Sequence, residues 1–212
     1  RSYAVYRRRR LRPCTTQLST AHEPSSPMSS PTNPRHLDPR RLVFIDETWA
    51  KTNMTRLRGR SKRGARLAEK VPHGHWKTTT LVAAPGHGGM RCGMTLDGAV
   101  DGDHFVAFCQ NILAPTQSRG GIVVMDNLSS HKVRGVLEAI ESTGASVLNL
   151  PPYSPDLNPI ENAFSKLEQL LRSASHRIQK ALWIDIQRMF DAITAADAQG
   201  FYRHCGYTLQ GE

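Results

Sequence analysis

Two short runs without a polar residue, 42–45 and 122–125, constrain this chain more than any other feature. A strand built only from Leu, Val, Phe, Ile and Met is apolar on both faces, so it belongs inside a sheet that is covered on both sides. Each run is followed at once by a carboxylate, Asp46 after the first and Asp126 after the second. A chain of 212 residues is long enough to bury such a sheet within one domain.

The rest of the pattern supplies partners for those strands. Residues 76–84 are rich in Thr, Leu and Val and read as a strand; a turn at 85–89 returns the chain as a third, antiparallel strand over 90–96. Apolar residues at helical spacing predict helices over 103–113 and 130–142, the second stopped by Gly144. A short strand follows at 146–150. A further helix begins at Asn158 and Pro159, with Ile160, Ala163, Phe164, Leu167, Leu170 and Leu171 as its stripe. One long helix is expected over 178–196, then a short aromatic tail over 200–212. Trp76 and Trp183 read as core. Strands that pair locally and then alternate with helices imply an α/β fold, a mixed sheet flanked by helices.

Residues 1–40 read differently. Five Pro, five Ser and four Thr crowd residues 13–34, a composition that cannot offset its chain entropy by burial. The expected organisation is therefore a disordered basic tail over 1–40 and a folded domain over 41–212. The formal charge of +10 is concentrated. The tail holds eight Lys and Arg against two Asp and Glu, and Arg56, Arg58, Arg60, Lys62, Arg63 and Arg66 follow one another with no acid between. Such clustering suits a polyanion, and the six are candidate DNA-phosphate contacts; a solvated loop is the plain alternative. The four cysteines show no metal-ligand spacing and are expected as free thiols. No apolar run reaches the roughly 18 residues of a membrane span, and a soluble, intracellular chain is expected.

Asp46 and Asp126 meet if their strands are neighbours, and Glu161, at a helix start, completes a set of three acids. Hard oxygen ligands suit Mg2+ or Mn2+, and two such ions, about 3.5–4 Å apart, assist in-line displacement at a phosphodiester. Each acid has a plainer reading. An Asp after a strand is commonly a turn or cap residue, and Glu161 stands three after Asn158, where a capping-box glutamate would be. Asn127 and His131 are candidate supporting residues for the site. His73 and His75 form a weaker pair, more in keeping with a solvated loop.

The segments Phe44-Ile45-Asp46-Glu47-Thr48, residues 71–79, Val124-Met125-Asp126-Asn127 and the long motif over 150–161, Leu-Pro-Pro-Tyr-Ser-Pro-Asp-Leu-Asn-Pro-Ile-Glu, resemble the DDE transposases of bacterial insertion sequences, in the superfamily that includes the mariner elements. The 34 residues between Asp126 and Glu161 are a spacing this superfamily favours. The resemblance covers roughly residues 40–210. It implies an RNase H-like fold, two Mg2+ (or Mn2+) ions held by a catalytic triad of Asp46, Asp126 and Glu161, DNA cleavage at transposon ends and strand transfer into a TA target. It further implies DNA as partner, a homodimer that holds two ends, and a place at the bacterial nucleoid in the cytoplasm. Family members carry helix-turn-helix domains that read the ends, and residues 1–40 contain no such helices, so end recognition either falls to a separate domain or chain or is lost. The competing expectations are a nuclease of similar fold that cuts without joining, and a non-catalytic DNA-binding remnant.

Overall fold

The first apolar run opens β2 (Leu42–Lys51), an interior strand of a six-stranded sheet. The computed structural model describes residues 3–7, 34–68, 76–126 and 134–209. Around β2 stand β1 (Tyr3–Arg7), β3 (Thr78–Gly86), β4 (Gly89–Asp97), β5 (Ile122–Met125) and β6 (Ser146–Asn149), in the spatial order β1-β4-β3-β2-β5-β6. The first three neighbour pairs are antiparallel; β5 pairs parallel with β2, and β6 parallel with β5. Hairpin pairing on one side and crossover pairing on the other give the mixed sheet expected from the element order.

Alternation along β2 sorts the core into two layers. Leu42 and Phe44 face α3 (Pro159–Ala174), α4 (Gln179–Asp191) and α5 (Ala195–His204). Val43 and Ile45 face α1 (Gly102–Phe108), the π-helical turn Cys109–Leu113 that continues it, and α2 (Arg134–Glu141). The first layer is aromatic: the Phe44 ring meets Tyr202 and Tyr207 at centroid distances of 5.4 and 5.3 Å, and the Tyr202 hydroxyl donates to the Leu42 carbonyl at 2.9 Å. Gly93 on β4 lets this layer close. A Cβ there would lie 2.5 Å from the Phe190 ring of α4, far inside contact distance. Cys92, Cys109 and Cys205 are free and buried, as expected of the thiols, and burial pushes the first two up to about 12 and Cys205 up to about 11.

Several expectations need correction. Asp46 does not end its strand, because residues 46–51 continue antiparallel to β3, from Asp46 opposite Ala83 to Lys51 opposite Thr78. Part of the expected tail is joined to the sheet: β1 pairs with β4 as an edge strand, Tyr6 is buried, and its hydroxyl donates to Asp191 of α4 at 2.5 Å. Residues 34–36 and 39–41 form short 3-10 turns, and residues 8–33 lie outside the described residues. The long helix over 178–196 is two helices. The Thr194 hydroxyl accepts from the Asp197 N–H at 3.1 Å and the Asp197 carboxylate accepts from the Thr194 N–H at 2.9 Å, a capping box that starts α5 afresh. Residues 200–207 are accordingly helix and core, not tail. Trp76 is half exposed, while the partly buried Trp183 indole N–H donates to Thr79 Oγ1 at 2.9 Å. No described helix is long and apolar enough to cross a membrane.

Candidate active site

The parallel pairing of β2 with β5 ends at Ile45 opposite Met125, so Asp46 and Asp126 are the next residue on each strand. Side-chain alternation puts them on the same face as Phe44 and Val124, the face covered by α3. On the far side of β5, the Leu150 N–H donates to the Met125 carbonyl at 2.8 Å, and the chain then leaves β6 across the end of the sheet. That crossing, residues 150–158, delivers the chain to α3, whose buried Ile160 and Ala163 seat its first turn on the sheet. Glu161 stands in this turn, exposed, where the helix dipole favours a negative side chain. Asp46, Asp126 and Glu161 thus line one cavity of about 440 Å³, whose remaining wall is Asn158 and the loop from Leu150 to Pro155.

The Asp46 carboxylate is oriented from two sides. Its Oδ1 accepts the Glu47 N–H at 2.7 Å, and its Oδ2 accepts from Asn158 Nδ2 at 3.1 Å. This gives Asn158 a role that its sequence position disguises. Asn before Pro at a helix start reads as a cap, yet its side chain makes no capping bond. Its backbone N–H donates to the Pro155 carbonyl at 2.9 Å, so the capping box with Glu161 is not formed. Turning the amide over would set its oxygen against a carboxylate oxygen, which fixes the orientation. The Asn158 Oδ1 is buried and has no hydrogen-bond partner among the described residues. Only the density of polar residues in the 150–161 motif hinted at this; the partner is 112 residues away in sequence.

The donor chemistry fits a hard divalent cation. Three carboxylates face one hollow, and the buried amide oxygen of Asn158 stands beside Asp46. Among the described residues, however, no three His, Cys, Asp or Glu side chains are gathered into a tight cage. Glu161 also borders a second hollow of about 590 Å³, lined by Trp49, Phe164 and the Glu168–Arg172 ion pair. That hollow contains one of the three acids, so the smaller one is the candidate site.

The remaining expected site residues lie elsewhere. Arg56, Arg58, Arg60, Lys62, Arg63 and Arg66 are all exposed, on a segment with neither helix nor strand, and none lines the acid cavity. Their segment does start beside the second hollow, which Asn53 and Met54 help to line. Asn127, His131, His73 and His75 lie outside the described residues.

Compared with known proteins, residues 41–183 match the family described as DDE superfamily endonuclease. No curated protein sequence matches the chain. Among solved structures, it is similar to the Mos1 transposase in a paired-end complex with the left transposon end, at TM-score 0.63 and 19% identity over 91% of this chain and 64% of that one. The Mos1 strand transfer complex gives TM-score 0.62 and 18% identity over 89% and 64%. The Mos1 catalytic domain with raltegravir and Mg gives TM-score 0.56 and 18% identity over 79% of each chain. The chain therefore spans about 64% of the length of the Mos1 chain in its DNA complexes. The shared architecture is the RNase H-like fold, as expected. With the family matched over most of its length, the chain belongs to the DDE superfamily endonucleases.

Proposed function

We propose that this chain is the catalytic domain of a DNA transposase of the insertion-sequence type, with Asp46, Asp126 and Glu161 as its catalytic triad. The observation that carries the reading is the convergence on one cavity of three carboxylates, from the point where the parallel pairing of β2 and β5 stops and from the first turn of α3. When bound, Mg2+ or Mn2+, as a pair of ions, supplies Lewis-acid activation of the attacking oxygen and stabilises the leaving one. The three carboxylates would hold the ions, and Asn158 and the Glu47 N–H keep Asp46 turned toward them. In the cleavage step the oxygen of water bonds to phosphorus and the bond to the 3′ oxygen breaks, leaving a 3′-hydroxyl and a 5′-phosphate. In the joining step that 3′-hydroxyl attacks a target phosphodiester, at TA by resemblance, and a target 3′-hydroxyl departs. The exposed basic segment 56–66 grips phosphates without reading bases. Pairing of two ends by a homodimer, end recognition by a separate domain or chain, and action at a bacterial nucleoid belong to the same reading.

The Mos1 paired-end complex with the left transposon end and the Mos1 strand transfer complex support this reading through the shared fold. The test is joining. Precleaved oligonucleotide ends, incubated with the chain, Mn2+ and a target plasmid, are expected to become covalently attached to the plasmid. Hydrolysis of the plasmid with no attached oligonucleotide would favour a nuclease that cuts without joining.

A further inference from the structure

Tyr153 occupies an exposed part of the acid cavity's wall that core packing does not explain. It is fully exposed, and its backbone is left-handed, with φ of 56°. For a bulky residue other than Gly this conformation is rare and strained. The other described residue of this kind, Ser175, is accounted for: it caps α3, with its N–H on the Leu171 carbonyl. Tyr153 caps nothing, buries nothing and makes no side-chain hydrogen bond or ring contact among the described residues.

The loop that carries it is held firmly. Pro151, Pro152 and Pro155 restrict its torsions. The Leu150 N–H is bonded to the Met125 carbonyl at 2.8 Å, and the buried Tyr207 hydroxyl donates to the Leu157 carbonyl at 2.6 Å. A strained residue persists when its surroundings over-determine it. Here they hold a bare aromatic ring in solvent beside three carboxylates. The face of such a ring suits another π-face, and nucleobases offer one irrespective of sequence.

Resting on the DNA reading above, we propose that the Tyr153 ring is a stacking platform for a nucleobase next to the scissile phosphate at the site formed by Asp46, Asp126 and Glu161. A base can stack on it only when its own face is free, so the partner is an unpaired or frayed nucleotide flanking the cleaved bond. Tyr153 is on this account a positioning residue that fixes the strand's register against the carboxylates.

The test uses the full chain in Ca2+ and a duplex with unpaired 2-aminopurine beside the cleavage position. Binding to the parent and to Tyr153→Phe is expected to quench the probe. Tyr153→Ala is expected to leave it bright and to bind about tenfold more weakly, within the range measured for loss of one stacked base. Tyr153→Gly should lose the quenching too, while its Tm stays level or rises, because Gly accepts the positive φ without strain. Equal quenching and affinity in the parent and the Ala variant would overturn the proposal, as would a Phe variant as impaired as Ala. If the parent binds and cleaves DNA while Ala has no effect, only the stacking role fails. If the parent binds neither this duplex nor supercoiled plasmid, the DNA reading fails and the proposal with it.

Discussion

Two loops of this molecule are built for opposite purposes. The 150–158 loop is stiffened by three prolines, anchored at both ends by hydrogen bonds, and forms the wall of the acid cavity. The 56–68 loop is exposed along its whole length, and its hydrogen bonds run mainly between its own residues, such as the Ala65 N–H to the Lys62 carbonyl at 2.9 Å. The comparison separates chemistry from electrostatics. Aligning carboxylates demands a fixed backbone, because errors of a fraction of an ångström cost rate. Holding a polyanion demands only charge of the right sign within a Debye length, about 8–10 Å at ordinary salt.

The largest effect should therefore come from the rigid loop. Asn158→Ala removes the side-chain support of Asp46 and should lower Mn2+-dependent nicking by about 10–100-fold, the usual size for loss of a residue that orients a metal ligand. DNA affinity measured in parallel should hardly change. A matching loss of affinity would mean that Asn158 acts on the DNA and not on Asp46.

Neutralising the exposed charges should do the reverse. Replacing Arg58, Arg60 and Arg63 with Ala should weaken duplex binding and flatten its salt dependence by roughly 0.9 in log–log slope for each phosphate that is no longer neutralised. Cleavage at saturating DNA should remain near that of the parent. An unchanged slope would remove this loop from the interface.

Tyr207→Phe probes the anchor of the rigid loop. It deletes the bond to the Leu157 carbonyl and should cost about 1 kcal/mol of stability, read from chemical denaturation. A few-fold fall in nicking should accompany it. A stability loss with full activity would show that the loop needs no such tether.

The smallest effect belongs to Asp197, which lines neither hollow. Lys166 chiefly, and Thr194 next, pull its carboxyl down to about 2 from an ordinary value of 3.8. A depressed acid stabilises the fold above its unfolded value, and that contribution is lost as pH falls through about 2. Asp197→Asn should cost at most about 1 kcal/mol near pH 7, since the pair is partly solvated, and the two proteins should converge as the pH falls below 3.8 toward 2. A difference undiminished between pH 7 and pH 2 would place the effect in packing and not in charge.

Legibility in the sequence followed the range of the interactions. β5 was plain because four apolar residues need burial on both faces, and β2 began plainly for the same reason. Its continuation through Glu47 to Lys51 was hidden, because those residues are held by pairing with residues 78–82 and not by an apolar pattern. β1 was hidden for a like reason: five residues at the edge of a sheet show no local signal, and the Tyr6 contact with Phe190 spans most of the chain. The break between α4 and α5 was written locally as Thr194 and Asp197, but the apolar periodicity ran across it. At the site, two of the acids were marked by the apolar runs that precede them and the third by the helix start it stands in. Asn158 was misread because its cap position and its real partner make the same local sequence. Tyr153 gave no sign, since a left-handed tyrosine is recognised only from its backbone angles.

The central claim is that Asp46, Asp126 and Glu161 act as one metal-dependent site. The most direct measurement is Mn2+-dependent nicking of supercoiled DNA by the parent and by Asp126→Asn, with Mn2+ binding followed on the same samples. The account predicts that the parent nicks, that the variant falls to background, and that its Mn2+ affinity falls with it. Nicking by the variant at the parent's rate would contradict the account, because it would place the chemistry away from the cavity that these three carboxylates share.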